Sequence, residues 1–237
     1  MNGKAIIKFL VVIAAIIGLF AYFIQPLAGS LKQGLDLQGG THIVLEAEDS
    51  ATGQADNDAV ERAKQILERR INEMGLSEPL VQREGARRII IELPGVKDPD
   101  EAIKRIGKTA VLEFKNDQGQ TVMTGDDLKD AKEELGQNKQ PLVAIELSDE
   151  GAKKFADLTS KNIGRRIAIT LDGKELTNPV VQQAITGGKA TISGSQSLEE
   201  AKDLAILLRS GALPVKINVL EVRTVGPSLG QDSKDKS

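Results

Sequence analysis

The sequence predicts an α+β protein in which one N-terminal membrane-spanning helix is followed by an exported base that carries an inserted α+β head. Three observations lead there. A nearly uninterrupted apolar run covers Ala5 to Ile24. Beyond it, segments of period 2 alternate with segments of period 3.6. Strong helix signals fade between about Thr121 and Ser195 and return at Ser197, as if one unit interrupted another.

At ~1.5 Å per residue the apolar run is long enough to cross the ~30 Å hydrocarbon layer as a helix, with its backbone groups paired internally. Lys4 and Lys8 are the only charges among the first 30 residues. Both precede most of the span, and Lys8 can reach the headgroups along its stem. As membrane anchors they keep the N-terminus cytoplasmic and send everything after Pro26 across the cell membrane. A cleaved signal peptide is the competing reading, since a basic start, an apolar stretch and small residues (Ala28, Ser30) follow in order. Both place the bulk of the chain outside the cytoplasm.

The 31 basic and 34 acidic residues give a net charge of −3 and are interspersed, the pattern of a solvated surface and no footprint for nucleic acid. Aromatic residues make up 3% and tryptophan is absent, which leaves no platform for stacking bases. With no cysteine, disulfides, thiolate zinc sites and thiol catalysis are excluded.

Taking the elements in order, Thr41 to Ala47 alternates, with Ile43, Leu45 and Ala47 on one side, a half-buried strand. Val60, Ala63, Leu67, Ile71 and Met74 recur at helical spacing, with Asp58 and Glu61 as a capping box and Gly75 as terminator. Leu80 to Arg83 and Arg88 to Leu93 flank Glu84-Gly85-Ala86 as a hairpin, closed by Pro94-Gly95. Asp98-Pro99-Asp100-Glu101 opens a second helix. A strand from Ala110 to Lys115 completes a β-α-β-β-α-β order, the ferredoxin-like one. In the second block, Asp126 to Leu135 is a short helix, Pro141 to Leu147 a strand, and Asp149 to Ile163 a helix. Arg166 to Leu171 runs into the hairpin signal Asp172-Gly173, and Val180 to Ile185 and Lys189 to Ile192 add strand. Ser197 and Glu200 then cap a helix that stops at Gly211 and Pro214. The last strand, Val215 to Arg223, switches register near Leu220, as at a bulge, and belongs beside the first block. The units are therefore 1–30, tip and span; 31–120, the first block; 121–194, an inserted subdomain; 195–227, the second part of the first block; and 228–237, a tail.

Gly34-Leu35-Asp36-Leu37-Gln38-Gly39-Gly40 has the glycine spacing of a phosphate loop, yet Gly40 stands where the lysine belongs and a strand follows. Nucleotide binding is rejected, and the glycines read as a tight connection. Gly187-Gly188-Lys189 is a turn. The single histidine, His42, has no cysteine to join it at a metal, and no nucleophile elbow or paired-histidine helix occurs. No catalytic residue, metal site or cofactor is expected. The pairs Arg69-Arg70, Arg87-Arg88 and Arg165-Arg166 read as solvated faces or surface ion pairs.

Three motifs occur in a fixed order: Gly34, Leu35, Asp36, Leu37, Gly39 and Gly40 just after the span; Leu208, Arg209, Ser210, Gly211, Ala212, Leu213 and Pro214 at a helix end; and RTVGPSLGQDS from Arg223, with Gly226 and Pro227. Together they resemble the SecD family of the bacterial Sec protein translocase, over nearly the whole chain. The resemblance implies a non-enzymatic accessory subunit that works with SecF and the SecYEG channel and contacts a translocating precursor polypeptide on the extracytoplasmic side. The resemblance implies further that such a subunit promotes export with help from the proton-motive force. It also implies a head that moves against a base, with hinge residues Gly119, Gly194 and Ser195. The family's further spans, which carry its proton chemistry, are not in these 237 residues, so a fragment or a truncated homologue is expected. The rival is a membrane-anchored binding or scaffold protein of the envelope without energy coupling.

Overall fold

The computed structural model describes residues 13, 35, 39–49, 53–76, 79–96 and 98–226. Apart from residue 13, the predicted span lies outside them, as do Lys4 and Lys8, and among the described residues no helix is long and apolar enough to cross a membrane.

The first body is a sheet with helices against it. Strand β1 (Gly40–Glu48) buries Ile43, Leu45 and Ala47 as the alternation requires. Helix α1 (Asn57–Glu73) follows, capped by Asp56, whose carboxylate accepts from the Ala59 amide at 2.7 Å. The cap thus lies two residues before the expected Asp58. Strands β2 (Leu80–Glu84) and β3 (Arg88–Pro94) form the expected hairpin. Helix α2 (Pro99–Ile106) starts at the expected Asp98, which accepts from Glu101. The strand that closes this sheet is β11 (Lys216–Val225), giving the order β11-β1-β3-β2, antiparallel throughout. Val44 pairs with Glu221 and Leu45 with Val219, so Leu220 is passed over, the bulge the pattern foretold. Ile43, Leu67, Ile71, Ile89, Ile91 and Leu93 form its core, joined by Ala102, Ile106, Leu213 and Val215.

The second body contains the rest. Strand β4 (Leu112–Lys115) was expected to close the first sheet. Instead it lies between β5 (Thr121–Thr124) and β8 (Ala168–Leu171), with β9 (Lys174–Thr177) beyond β8. The reason is local: Asn116 to Gln120 folds β4 into an immediate hairpin with β5, so it cannot also serve as an edge elsewhere. A second sheet, in the order β10-β7-β6, comprises β6 (Leu128–Leu135), β7 (Pro141–Leu147) and β10 (Lys189–Ser193). The expected helix over Asp126 to Leu135 is therefore wrong. Its start signal is real but is spent in a single 3-10 turn, Gly125–Asp127, capped by Thr124. The buried Asp127 carboxylate accepts from the Thr124 amide and from Lys154 at 2.7 Å, and the chain then extends along apolar β7. Tertiary pairing overrides the helix preference of Ala-Lys-Glu-Glu-Leu. Val180 and Val181 make isolated bridges and no strand forms from Val180 to Ile185.

Helix α3 (Asp149–Lys161) is capped by Ser148, and helix α4 (Leu198–Ser210) by Ser197 as predicted. Although α4 was expected to belong to the base, it packs chiefly on β6 and β7. Its Ala201, Leu204, Ala205 and Leu208 join a core with Phe114, Ile145, Phe155 and Ile169. The Phe114 and Phe155 rings meet edge to face, 6.0 Å between centroids at 70°.

Candidate functional site

The chain passes from the first core to the second between Ile106 and Ala110, and returns between Leu208 and Leu213. These crossings touch: the Leu213 amide donates to the Thr109 carbonyl at 2.8 Å. Between them lies the guanidinium of Arg70, from α1, fully buried. It donates to the carbonyls of Ile106 at 2.7 Å, Lys108, Thr109 and Gly211 at 2.8 Å, and to the Ser210 hydroxyl at 3.3 Å. Burial pushes the Arg70 pKa down to about 10, opposed by the nearby Asp172 carboxylate, so the group remains a cation at neutral pH. Asp172 itself accepts from the amides of Ala110 and Val111, which fixes the start of the second body. Ala110 there takes a left-handed φ of 62°.

Two more arginines flank the joint. Arg105 of α2 meets Asp203 of α4 at 2.5 Å. Arg209 of α4 donates to Glu73 of α1 at 2.7 Å and to the Ala131 carbonyl of β6 at 2.6 Å, and the Glu73 hydrogen bond raises its pKa. Reading Arg69-Arg70 as a solvated pair was therefore wrong for Arg70. The missed signal is its spacing, because Arg70 stands three residues after Leu67 and four before Met74, on the apolar stripe itself.

The second motif thus sits at the joint. Leu208 and Leu213 enter the two cores, Arg209 and Ser210 bind across, and Ala212 is exposed beside Pro214. Gly211, at φ 87°, turns the chain out of α4 in a conformation side chains avoid, and its carbonyl meets Arg70. Of the first motif, Leu35 is buried and its carbonyl accepts from Gly39, whose own carbonyl accepts from Gly95. Gly40 has φ 148°, and a Cβ there would stand 2.3 Å from the Leu93 carbonyl oxygen, so only glycine lets β1 start this close to β3. Gly34, Asp36, Leu37 and Pro227 lie outside the described residues, and Gly226 is exposed at the end of β11. The named hinge residues do not lie at the crossings. Gly119 is in the turn between β4 and β5, and Gly194 and Ser195 follow β10, all within the second body. His42 faces Glu92 across the β1–β3 pair at 3.6 Å.

A cleft of about 790 Å³ opens in the second body. Ala144, Ile145, Phe155, Ile169, Val181 and Ile185 supply its apolar lining, and Asp130, Lys132, Glu134, Glu146 and Lys189 its charged rim. Exposed Val180 lies on it, close to exposed Ile163, which bridges to Val181. Strands β10 and β6 are the edges of the sheet that forms one wall, and no further strand pairs with either among the described residues. Sequence reasoning missed this cleft because β6 was taken for a helix and residues 180–185 for a strand. No cluster of metal-ligating side chains occurs among the described residues.

Three family models match the chain: the SecD/SecF GG motif over residues 31–51, the N-terminal part of the SecDF P1 domain over 60–119, and the P1 head subdomain over 103–215. The protein translocase subunit SecD of Acidaminococcus fermentans is 58% identical over 237 residues, covering all of this chain and 57% of that protein. SecD of Desulfurispirillum indicum is 33% identical, with all of this chain and 68% of that protein covered. The solved structure of SecDF in a super-membrane-facing form matches 86% of this chain and 33% of its own at 42% identity, with a TM-score of 0.74. A second solved structure, of a SecDF described as a membrane component that enhances protein export, matches 77% of this chain and 99% of its own at 40% identity and TM-score 0.69. The chain spans about half the length of several curated relatives it matches. Matching relatives along its whole length and carrying the GG loop and head in their order, the chain belongs to the SecD/SecDF family of protein translocase subunits.

Proposed function

We propose that this chain supplies the extracytoplasmic part of an accessory subunit of the Sec export machinery, and that its head cleft contacts the translocating polypeptide. The observation that carries this reading is the cleft itself: an apolar trough of about 790 Å³ bordered by charges and by a sheet with open edges. An extended client can pair its backbone with such an edge while its side chains meet shallow apolar ground, a mode that tolerates many sequences. A base of ferredoxin-like type, its sheet ordered β11-β1-β3-β2 and interrupted by a head from about 107 to 212, would hold that cleft away from the membrane. The N-terminus is cytoplasmic, SecF and SecYEG are the partners, and energy from the proton-motive force enters through parts of the subunit beyond these residues.

Ala144→Glu tests the cleft, since it places a carboxylate on a half-buried position of the lining. Binding of a fluorescent, unstructured apolar peptide to the full chain, read by anisotropy, should weaken at least about tenfold, ~1.4 kcal/mol. The circular dichroism spectrum should be unchanged. Undiminished affinity in the folded variant would overturn the assignment of the cleft.

A further inference from the structure

We propose that Arg70 is the positioning residue of the joint: one buried guanidinium, offered by α1, holds both crossings of the chain and thereby sets the angle between head and base. Three observations carry this. The group donates to both crossings at once, to Ile106, Lys108 and Thr109 on the outward one and to Ser210 and Gly211 on the return. Three of its five acceptors stand at helix C-terminal ends, Ile106 at the end of α2 of the base and Ser210 and Gly211 at the end of α4 of the head. Helix C-termini carry partial negative charge, so the cation is stabilised where they converge. Finally, these bonds all go to neutral oxygens, and among the described residues no carboxylate bonds the guanidinium directly.

The consequence is an angular preference. Swinging the head takes the end of α4 away from Arg70 and leaves donors of a buried cation unpaired, which is costly. The head therefore rests in one orientation and leaves it only when something outside the joint supplies the difference. Arg105 with Asp203 and Arg209 with Glu73 are partly buried pairs on either side that still reach solvent, and they reinforce that orientation less than the fully buried guanidinium does. Lysine cannot replace Arg70, because its three donors radiate from one atom and cannot span both crossings as a planar fork does.

This inference rests on reading head and base as two bodies able to change their relative angle, and its test is independent of any client. The chain has no cysteine, so Glu84→Cys on the β2–β3 hairpin and Gln137→Cys beside β6 can carry spin labels without background. In the full chain in lipid nanodiscs, pulsed dipolar spectroscopy should give one narrow head-to-base distance. Arg70→Lys should retain the circular dichroism spectrum and lose the single distance, with a broad or second population in its place. A folded Arg70→Lys that keeps the narrow distance while merely melting earlier would overturn the proposal, because that is what a packing role alone produces. If Arg70→Lys fails to fold, Ser210→Ala decides. It removes one head-side acceptor and leaves the guanidinium, and it must broaden the distance to a lesser degree or the proposal falls.

Discussion

Export of a precursor by the complete subunit should fall to the level of membranes lacking it once head and base are tied together across α2 and α4. Arg105 and Asp203 face each other there at 2.5 Å, one from each body, and both are partly accessible. Replacing both by cysteine removes a partly screened ion pair, a loss on the order of 1 kcal/mol. Joining them with a short thiol reagent that contains a reducible disulfide then fixes the angle covalently. If the head must turn while it handles a client, precursor translocation into membrane vesicles stops on bridging and resumes on reduction. Normal translocation with the bridge in place would mean that the two bodies work as one rigid piece. These 237 residues contribute no native thiol to compete with the introduced pair.

The second large effect concerns stability. Phe114→Ala should lower the stability of the head by about 3–5 kcal/mol, because it removes a fully buried ring from the centre of its core and leaves Phe155 without its edge-to-face partner. The first core shares no residue with that cluster. Hydrogen exchange should therefore speed up in β4, β7 and β8 and leave β1 and β3 protected. Equal acceleration in both bodies would show that they fold as a single cooperative unit.

Much of this architecture was legible because its signals are local. Asp98-Pro99 and Ser197 start helices where they stand, Asp172-Gly173 turns β8 into β9, and the alternation of β11 breaks at Leu220, where the ladder skips a residue. What escaped depends on partners far along the chain. Strand β4 looks the same whether it closes the first sheet or opens another, and only its hairpin with β5 decides. The β6 segment carries good helix formers, and what extends it is the apolar β7 beside it. The hinge was sought where the composition changes, near Gly119 and Gly194, whereas the bodies separate where the cores do, at the crossings that Arg70 holds. The family motif at Leu208 to Pro214 was visible as a helix stop, but its role as one half of that joint needed Arg70, some 140 residues earlier.

The central claim, that the head cleft meets the polypeptide in transit, is tested most directly by photo-crosslinking. A benzophenone amino acid at Val180 or Gln183, both on the cleft, and at Lys64 on the base as reference, would be placed in the complete subunit during arrested translocation of a labelled precursor. Adducts with the precursor from Val180 and Gln183 and none from Lys64 are the predicted result. Adducts from Lys64 alone, or from none of the three while translocation is engaged, would contradict it.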